Sequence, residues 1–325
     1  MAIAAADKGL VTVFGGSGFL GRHVVRALLK RGWRVRAAVR RPDLAGHLQP
    51  LGMVGWVQPV QANLRYRWSV DRAVTGADAV VNLVAILSES GRQRFEAVHA
   101  AGALAVAEAT RAAGIDRLVH VSAIGADPAS PSAYARSKAA GEAAVRETDA
   151  GAVIFRPSLM FGPEDRFFNR FASLARVLPA LPLFGGGHTR FQPVFAGDVA
   201  RAIADAVEGK VPGGRIYELG GPEVKTFREC LELMLATIER RRLLVPVPWA
   251  VAAAMGQVLQ YLPNPLLTPD QVRQLRIDNV VSEEAQSQRR TLKGLGVDAT
   301  SLEAVLPSYL YRFRARGQFE RHRTV

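Results

Sequence analysis

The chain has 325 residues, of which 49% are hydrophobic and 22% charged, so a disordered or fibrous chain is excluded. Its net charge of +13 is spread out, since residues 1–150 hold 19 basic and 12 acidic side chains and residues 151–325 hold 23 and 17. Such an excess favours anionic partners, such as phosphates or a lipid surface. The single cysteine, Cys230, excludes an internal disulfide and a cysteine-built zinc site, and we predict no metal site.

Short valine-rich runs alternate with amphipathic segments through the first half of the chain. The predicted strands are Leu10–Phe14, Val35–Val39, Val54–Val60, Ala79–Leu83, Leu118–Val121 and Ala152–Phe155. The helices predicted between them include Leu20–Lys30, Phe95–Ala113 and Ala133–Arg146. Apolar strands separated by helices are typical of a parallel sheet covered on both faces. Right-handed crossovers then predict an α/β fold with a Rossmann-type, doubly wound parallel sheet.

A glycine-rich turn, Gly15-Gly-Ser-Gly-Phe-Leu-Gly21, joins the first predicted strand to the first helix. Gly15 suits the tight turn, Gly18 lets backbone amides reach a pyrophosphate, and Gly21 lets the helix pack closely on the strand. The N-terminus of that helix then faces the phosphates with its partial positive charge. This arrangement predicts a dinucleotide site.

The second predicted strand ends at Arg40 and Arg41, where an NAD site would place a carboxylate on the ribose 2′-hydroxyl. A guanidinium at this place binds a 2′-phosphate instead, so we predict NADP(H) rather than NAD(H). Asn63 follows the third strand and is expected to contact the adenine edge, although a plain turn residue fits this position as well. The full predicted cofactor site comprises Gly15, Gly16, Ser17, Gly18, Phe19, Leu20, Gly21, Arg40, Arg41, Asn63, Leu64, Val84, Ala85, Lys138 and Pro157.

Ser122, Tyr134 and Lys138 form the predicted catalytic set. Tyr134 and Lys138 are one helical turn apart and share a face, and Ser122 closes the strand before them. We expect the Lys138 ammonium to lower the pKa of the Tyr134 phenol and to hold the nicotinamide ribose, while Ser122 binds a substrate carbonyl. Tyr134 then gives or takes the proton as hydride moves.

Beyond residue 160 the pattern loosens, and helices are predicted at Gly197–Val207, Thr226–Arg240, Trp249–Leu262 and Ser301–Arg316. The strand Arg215–Leu219 is expected to return to the main sheet. We therefore predict an NAD(P)-binding domain at residues 1–160 and a smaller, interleaved C-terminal substrate or partner lobe at 161–325, of which residues 192–222 return to the sheet.

Neither a signal peptide nor a membrane span is predicted. The Met1–Gly9 segment is too short and mixed for a signal peptide. A Trp249–Leu262 helix is about 21 Å long, less than a hydrocarbon core of about 30 Å. We predict a cytoplasmic protein that associates peripherally with the inner face of the membrane. Zinc-finger spacings and RNA-binding aromatic motifs are missing from the sequence, so no nucleic-acid partner is expected.

The glycine turn, Ser122, the Tyr134/Lys138 pair and Arg156-Pro-Ser with Phe161-Gly-Pro resemble the extended and atypical short-chain dehydrogenase/reductase superfamily. Three segments resemble a narrower group, the nucleotide-binding accessory subunits of respiratory complex I and their bacterial relatives. These segments are Phe161–Phe171, Gln192-Pro-Val and Leu306–Phe313.

That resemblance implies tightly held NADPH, a second lobe facing a quinone-handling membrane enzyme, and a link to ubiquinone metabolism. It draws attention to the apolar Trp249–Leu262 segment and to an arginine-rich end, formed by Arg312, Arg314, Arg316, Arg321 and Arg323. Many extended members carry Asn where this chain has His99, which puts an efficient proton relay in doubt and favours a structural histidine.

Three functions stay open at this point. The first is an NAD(P)H-dependent oxidoreductase acting on a carbonyl or quinone-like substrate. The second is a non-catalytic accessory protein that is stabilised by NADPH and docks on complex I or another membrane complex. The third is an NAD-dependent nucleotide-sugar epimerase or dehydratase, for which Arg190 is the candidate ligand of the substrate diphosphate.

Overall fold

The computed structural model describes residues 8–262 and 265–315. Its strands are β1 (Leu10–Phe14), β2 (Arg34–Val39), β3 (Val57–Gln61), β4 (Ala79–Asn82), β5 (Leu118–Val121), β6 (Val153–Pro157), β7 (Met160–Phe161), β8 (Ala180–Phe184), β9 (Arg190–Phe191), β10 (Val194–Phe195), β11 (Ile216–Leu219), β12 (Lys225–Thr226) and β13 (Leu243–Val247). Its α-helices are α1 (Phe19–Lys30), α2 (Arg67–Val74), α3 (Ala101–Ala112), α4 (Ala133–Thr148), α5 (Phe168–Val177), α6 (Ala196–Val207), α7 (Phe227–Thr237), α8 (Trp249–Leu259), α9 (Pro269–Gln274), α10 (Glu283–Ser287) and α11 (Leu302–Leu310). Arg316, Arg321 and Arg323 lie outside the described residues.

The chain divides into two compact units, and each is built from separate stretches of sequence. The sheet unit contains the residues up to Pro157, Ala196–Leu219 and Val281–Asp298. The second unit contains Ser158–Phe195, Gly220–Val280 and the residues from Ala299 onward.

A seven-stranded parallel sheet, in the order β11-β6-β5-β4-β1-β2-β3, forms the centre of the sheet unit. The chain runs from β1 outward through β2 and β3, and then crosses to the other side of β1 to build β4, β5 and β6. The strand order therefore reverses between β1 and β4, which is where doubly wound folds bind ligands. The predicted fold class is confirmed.

The strands of this sheet are apolar along their length because helices cover both faces. In β1, Val13 pairs with Ala37 on one side and with Val81 on the other, and all three side chains are fully buried. Helices α3 and α4 pack on one face through Val106 and Val145, which share a core cluster with the buried residues of the sheet. Continuous burial on both sides is the reason that the strands are valine-rich instead of alternating.

Element boundaries differ from the prediction where a local feature interrupts the apolar run. Gly55 makes a turn at a φ of +80°, so β3 begins only at Val57, after the exposed Val54. The helix predicted over residues 95–113 opens with a π-helical turn at Glu96–Ala100 before α3 begins.

The second unit has a core of its own, rich in phenylalanine. Phe227 lies at its centre and contacts the rings of Phe167, Phe171, Phe184 and Phe191. Helix α7 begins in a capping box, in which the Thr226 side chain and the Glu229 side chain satisfy each other's backbone amides. Three two-stranded ladders complete the unit: β7 with β10, β8 with β13, and β9 with β12.

Candidate functional site

The glycine turn between β1 and α1 leaves backbone donors for an anion. Gly15 has a φ of +80°, and its amide donates to the Ala38 carbonyl at 3.0 Å. Gly18 is the N-cap of α1, where no side chain caps the helix and the first turn holds no acid. A Cβ on Gly21 would lie 2.3 Å from the Gly15 carbonyl oxygen, so only glycine allows α1 to start this close to the turn. The cradle fits a pyrophosphate at a helix N-terminus.

The carboxyl ends of β2 and β3 lie beside this turn. Arg40 follows β2 directly and is exposed, and its side chain makes no ion pair within the described part of the chain. Arg41 instead donates two hydrogen bonds to the Asp43 carboxylate, from Nε to Oδ1 at 2.9 Å and from Nη2 to Oδ2 at 2.6 Å. Asn63 accepts the Arg65 amide on its Oδ1 at 3.2 Å, as a turn residue does, and this bond does not use the side-chain Nδ2.

The loop after β4 lies against the glycine turn. The Leu83 amide donates to the Phe14 carbonyl at 3.0 Å. Val84 Cγ2 lies 3.4 Å from the position that a Cβ on Gly15 would take. Leu64, after β3, packs against Gly102 at the start of α3. The structure therefore brings these predicted cofactor residues together at the carboxyl edge of the sheet.

Ser122 and Lys138 meet at the end of β5. Lys138 is 1% exposed, and its Nζ donates to the Val121 carbonyl at 2.7 Å. Ser122 is also buried, and its Oγ has no hydrogen-bond partner among the described residues. Tyr134 lies one turn before Lys138 on α4. A buried hydroxyl without a hydrogen bond lowers the stability of the protein. A ligand carbonyl at this place would accept a hydrogen bond from the hydroxyl and recover that free energy.

Pro157 ends β6, and its carbonyl accepts the Ile124 amide at 3.1 Å. This bond holds the chain just after Ser122 against the end of β6. Pro157 therefore lies at the same edge of the sheet as the predicted catalytic set, and two strands, β5 and β4, separate its strand from β1 and the glycine turn.

Burial, more than charge, shifts the pKa values of Tyr134 and Lys138, the candidate catalytic pair. It raises the pKa of Tyr134 to about 12. It also lowers the pKa of Lys138 to about 8, against the opposing effect of the Glu142 carboxylate. The expectation that the pKa of the phenol falls below its ordinary value is wrong for this structure, because the desolvation of the phenolate outweighs any stabilisation of it by the ammonium. Tyr134 is therefore a protonated phenol at neutral pH, and its burial makes it a weaker acid than a solvent-exposed tyrosine.

His99 is held on both ring nitrogens. Its Nε2 accepts the Ile86 amide at 3.0 Å, and its Nδ1 lies 2.8 Å from Ser137 Oγ. Burial, with a smaller contribution from the charge of Lys138, lowers the pKa of His99 to about 3, so the ring is neutral. These contacts support the structural interpretation of His99.

Several polar residues near the site did not enter the sequence prediction. Glu142 receives a bidentate ion pair from Arg156, with distances of 2.8 and 2.6 Å. The Nδ2 atom of Asn82, at the end of β4, lies 3.3 Å from Nδ1 of the buried His120 on β5. Polar residues inside otherwise apolar strands, and a glutamate one turn after Lys138, are signals that would have found them.

Comparisons with known proteins agree with this geometry. A family model described as the NAD dependent epimerase/dehydratase family matches residues 11–220. The chain is 38% identical over 289 residues to NADH dehydrogenase (ubiquinone) 1 alpha subcomplex subunit 9, mitochondrial, of Arabidopsis thaliana, covering 85% of this chain and 72% of that protein. It is 39% identical over 181 residues to a ceramide reductase of Caulobacter vibrioides, covering 56% of each.

The NADPH-dependent quinone oxidoreductase of Escherichia coli, solved with NADPH, has the same fold. The TM-score is 0.71 at 21% identity, over 93% of this chain and 99% of that one. The family assignment rests on the model match over residues 11–220. The structure agrees with it, since a glycine turn lies where the strand order reverses, and the buried Ser122 Oγ has no hydrogen-bond partner among the described residues. The chain belongs to the NAD dependent epimerase/dehydratase family, and the complex I subunits are among its relatives.

Proposed function

We propose that this protein is an NADP(H)-dependent oxidoreductase that reduces a carbonyl or quinone-like substrate, with Ser122, Tyr134 and Lys138 as its catalytic set. The observation that carries the proposal is the buried Ser122 Oγ, which has no hydrogen-bond partner among the described residues. Ser122 comes directly after Val121, whose carbonyl accepts a hydrogen bond from Lys138 Nζ. A substrate oxygen placed there is within reach of a hydroxyl donor and close to the helix that carries the phenol.

Ser122, Tyr134 and Lys138 each have a different role in the proposed carbonyl reduction. Bound NADPH supplies the hydride to the substrate carbon. Ser122 donates a hydrogen bond to the substrate oxygen, and Tyr134 gives that oxygen its proton, so that the C=O bond becomes an alcohol. The raised pKa of Tyr134 keeps the phenol protonated at the start of the step, but it also makes the phenol a weaker acid, so the transfer depends on stabilisation of the phenolate. Lys138, as an ammonium, stabilises the phenolate that is left behind.

The choice of NADP(H) over NAD(H) rests on Arg40. Its guanidinium is exposed directly after β2 and makes no ion pair with the described residues. The nearest following acid, Asp43, is held by Arg41 through two nitrogens. A ribose 2′-hydroxyl would therefore find no available carboxylate in this stretch, whereas a 2′-phosphate would find a guanidinium.

The decisive experiment has two readouts. Protein as purified is denatured, and the released dinucleotide is identified; the expected result is NADP(H), and recovery of NAD(H) would overturn the cofactor assignment. Turnover is then measured against a panel of quinones and aliphatic ketones for the wild type and for Tyr134→Phe. Loss of at least about 100-fold in kcat with an unchanged NADPH Kd supports the reductase.

A non-catalytic accessory role is the second candidate, favoured by the likeness to a complex I subunit. In that case the wild type turns over none of these substrates, yet NADPH raises its melting temperature, because a ligand that binds only the folded state stabilises it. Arg190 weighs against the epimerase alternative, because its Nε is paired with Asp278 at 2.7 Å, so a substrate diphosphate would compete with this carboxylate for the guanidinium.

We also propose that the protein associates peripherally with an anionic membrane surface, in keeping with an accessory partner there. No helix in the described ranges is long and apolar enough to cross a bilayer. Helix α8 and the residues just beyond it present an exposed apolar stripe, interrupted by the exposed Gln257 and formed by Ala250, Val251, Ala254, Val258, Tyr261 and Leu262.

Basic residues accompany the apolar stripe. No charged residue occurs between Arg242 and Asp270. Arg241 is exposed just before β13, and the Arg276 guanidinium lies 5.4 Å from the ring centre of Trp249, at the start of α8. An uncharged, exposed helix face with arginines near it is typical of a surface that lies in the headgroup region of anionic lipid.

A further inference from the structure

Side chains hold both ends of the segment from Val84 to Ile86, which begins two residues after β4. The Val84 amide donates to Asn82 Oδ1 at 3.2 Å, and the Ile86 amide donates to His99 Nε2 at 3.0 Å. Amides in a loop are usually satisfied by water or by neighbouring backbone. Here, two buried side chains fix the position of a segment that contains the predicted cofactor residues Val84 and Ala85.

From His99 the hydrogen bonds continue into the catalytic helix. Since Nε2 accepts from Ile86 and the ring is neutral, the one ring proton is on Nδ1 and donates to Ser137 Oγ at 2.8 Å. The Ser137 hydroxyl in turn donates to the Tyr134 carbonyl at 2.7 Å. Every donor has one acceptor, so the chain from Ile86 to Tyr134 has a single direction.

Ring contacts and backbone packing hold His99 in this place. Its ring meets the Tyr134 ring edge-on, with the centroids 5.3 Å apart, and stacks on Phe95 at 5.4 Å. A Cβ on Gly141 would lie 2.2 Å from the His99 carbonyl oxygen, so α4 touches the π-helical turn directly. π-Helical turns are rare in proteins, and those that occur are often at functional sites.

We propose that His99 is a positioning residue that couples the cofactor seat after β4 to Tyr134. Its Nε2 fixes the loop that faces the dinucleotide, and its Nδ1–H and ring fix the helix turn that carries the phenol. The inference rests on the proposed cofactor site and goes beyond it, since it concerns how the segment after β4 is connected to Tyr134 through His99.

Two substitutions separate the two ends of His99. In His99→Asn the amide nitrogen takes the place of Nδ1 and keeps the bond to Ser137, but no acceptor reaches the Ile86 amide. In His99→Gln the amide oxygen takes the place of Nε2 and keeps the bond to Ile86, but the donor to Ser137 is lost. His99→Leu removes both bonds at a similar volume, and His47→Asn, on an exposed histidine, is the matched control.

The expected result is a crossed pattern in the full-length protein. His99→Asn raises the NADPH Kd by about tenfold, the effect of one lost buried hydrogen bond, and changes kcat little. His99→Gln and Ser137→Ala leave that Kd within about twofold and lower kcat at saturating NADPH by about tenfold. His47→Asn changes neither quantity.

Equal changes in Kd for His99→Asn and His99→Gln, with parallel losses of melting temperature, would overturn the inference and make His99 a packing residue. If the wild type shows no turnover, the proposed reductase function fails. The inference is then judged by the NADPH Kd alone, which titration of protein fluorescence measures without any reaction.

Discussion

At the scale of single residues, desolvation sets the chemistry of the site. Lys138 is buried against the Val121 carbonyl, and its pKa falls to about 8 from an ordinary value of 10.5. Tyr134 shifts in the opposite direction for the same reason, since burial disfavours the charged form of each group. A buried lysine of this kind carries a free-energy cost that depends on pH.

We expect stability to reveal this cost. Below pH 8 Lys138 is charged in both states, and the folded protein bears the full penalty of burying the ammonium. As pH rises from 8 towards 10.5 the folded lysine is neutral while the unfolded one still binds a proton, so stability increases. The gain is at most about 3 kcal/mol.

Urea unfolding of the wild type and of Lys138→Met between pH 7 and pH 10.5 measures this gain, because the methionine variant lacks it. Lys30→Met, on an exposed lysine of α1, serves as the control and should follow the wild type. Parallel stability curves for the wild type and Lys138→Met would contradict the assigned pKa.

At the scale of elements, the junction of β1 and α1 leaves no room for a side chain. Gly21 lies against the backbone of Gly15 and Gly16, and a Cβ would come within 2.6 Å of three of their atoms. Backbone atoms of a hydrogen-bonded turn cannot move aside as a flexible side chain can. The same close approach that lets α1 point at a phosphate makes the site sensitive to one methyl group.

Gly21→Ala is therefore expected to cost about 1–3 kcal/mol of unfolding free energy, the usual range for overpacking, and to abolish tight binding of the dinucleotide. Chemical unfolding and NADPH titration give the two quantities. Gly46→Ala is the matched control, because a Cβ there meets no atom within 4 Å. Full NADPH affinity in Gly21→Ala would show that the turn is not the phosphate cradle.

At the scale of the whole molecule, we propose a different partner for each of two surfaces. The sheet unit holds the candidate cofactor site, and the second unit presents the apolar stripe on α8. The positive net charge acts over the whole surface and strengthens any encounter with an anionic bilayer.

Flotation with anionic vesicles tests this surface. Val258→Glu, which places a charge in the apolar stripe, is expected to weaken vesicle binding about fivefold, the equivalent of about 1 kcal/mol. Val54→Glu puts the same change on a valine that is fully exposed in the sheet unit, and it should bind as the wild type does. Binding that is insensitive to salt and to Val258→Glu would rule out the α8 surface.

Much of the fold was predictable because its signals are local. Valine-rich runs, the helices between them and the Gly15–Gly21 turn depend on residues close in sequence, and β1, β5 and the start of α4 fall where they were expected. The sequence did not predict the π-helical turn before α3, which packs closely against Gly141, about 40 residues along the chain.

The sequence by itself determined the sheet, the glycine cradle and the family of this protein, since each follows from residue type and short spacing. Only the tertiary structure decided how the candidate catalytic groups are protonated and which polar side chains near them already have hydrogen-bond partners within the protein. Burial of Tyr134 and the occupation of both His99 nitrogens come from residues far apart in the chain. Solvation and hydrogen bonding depend on what surrounds a group in space, and that information exists only once the chain is folded.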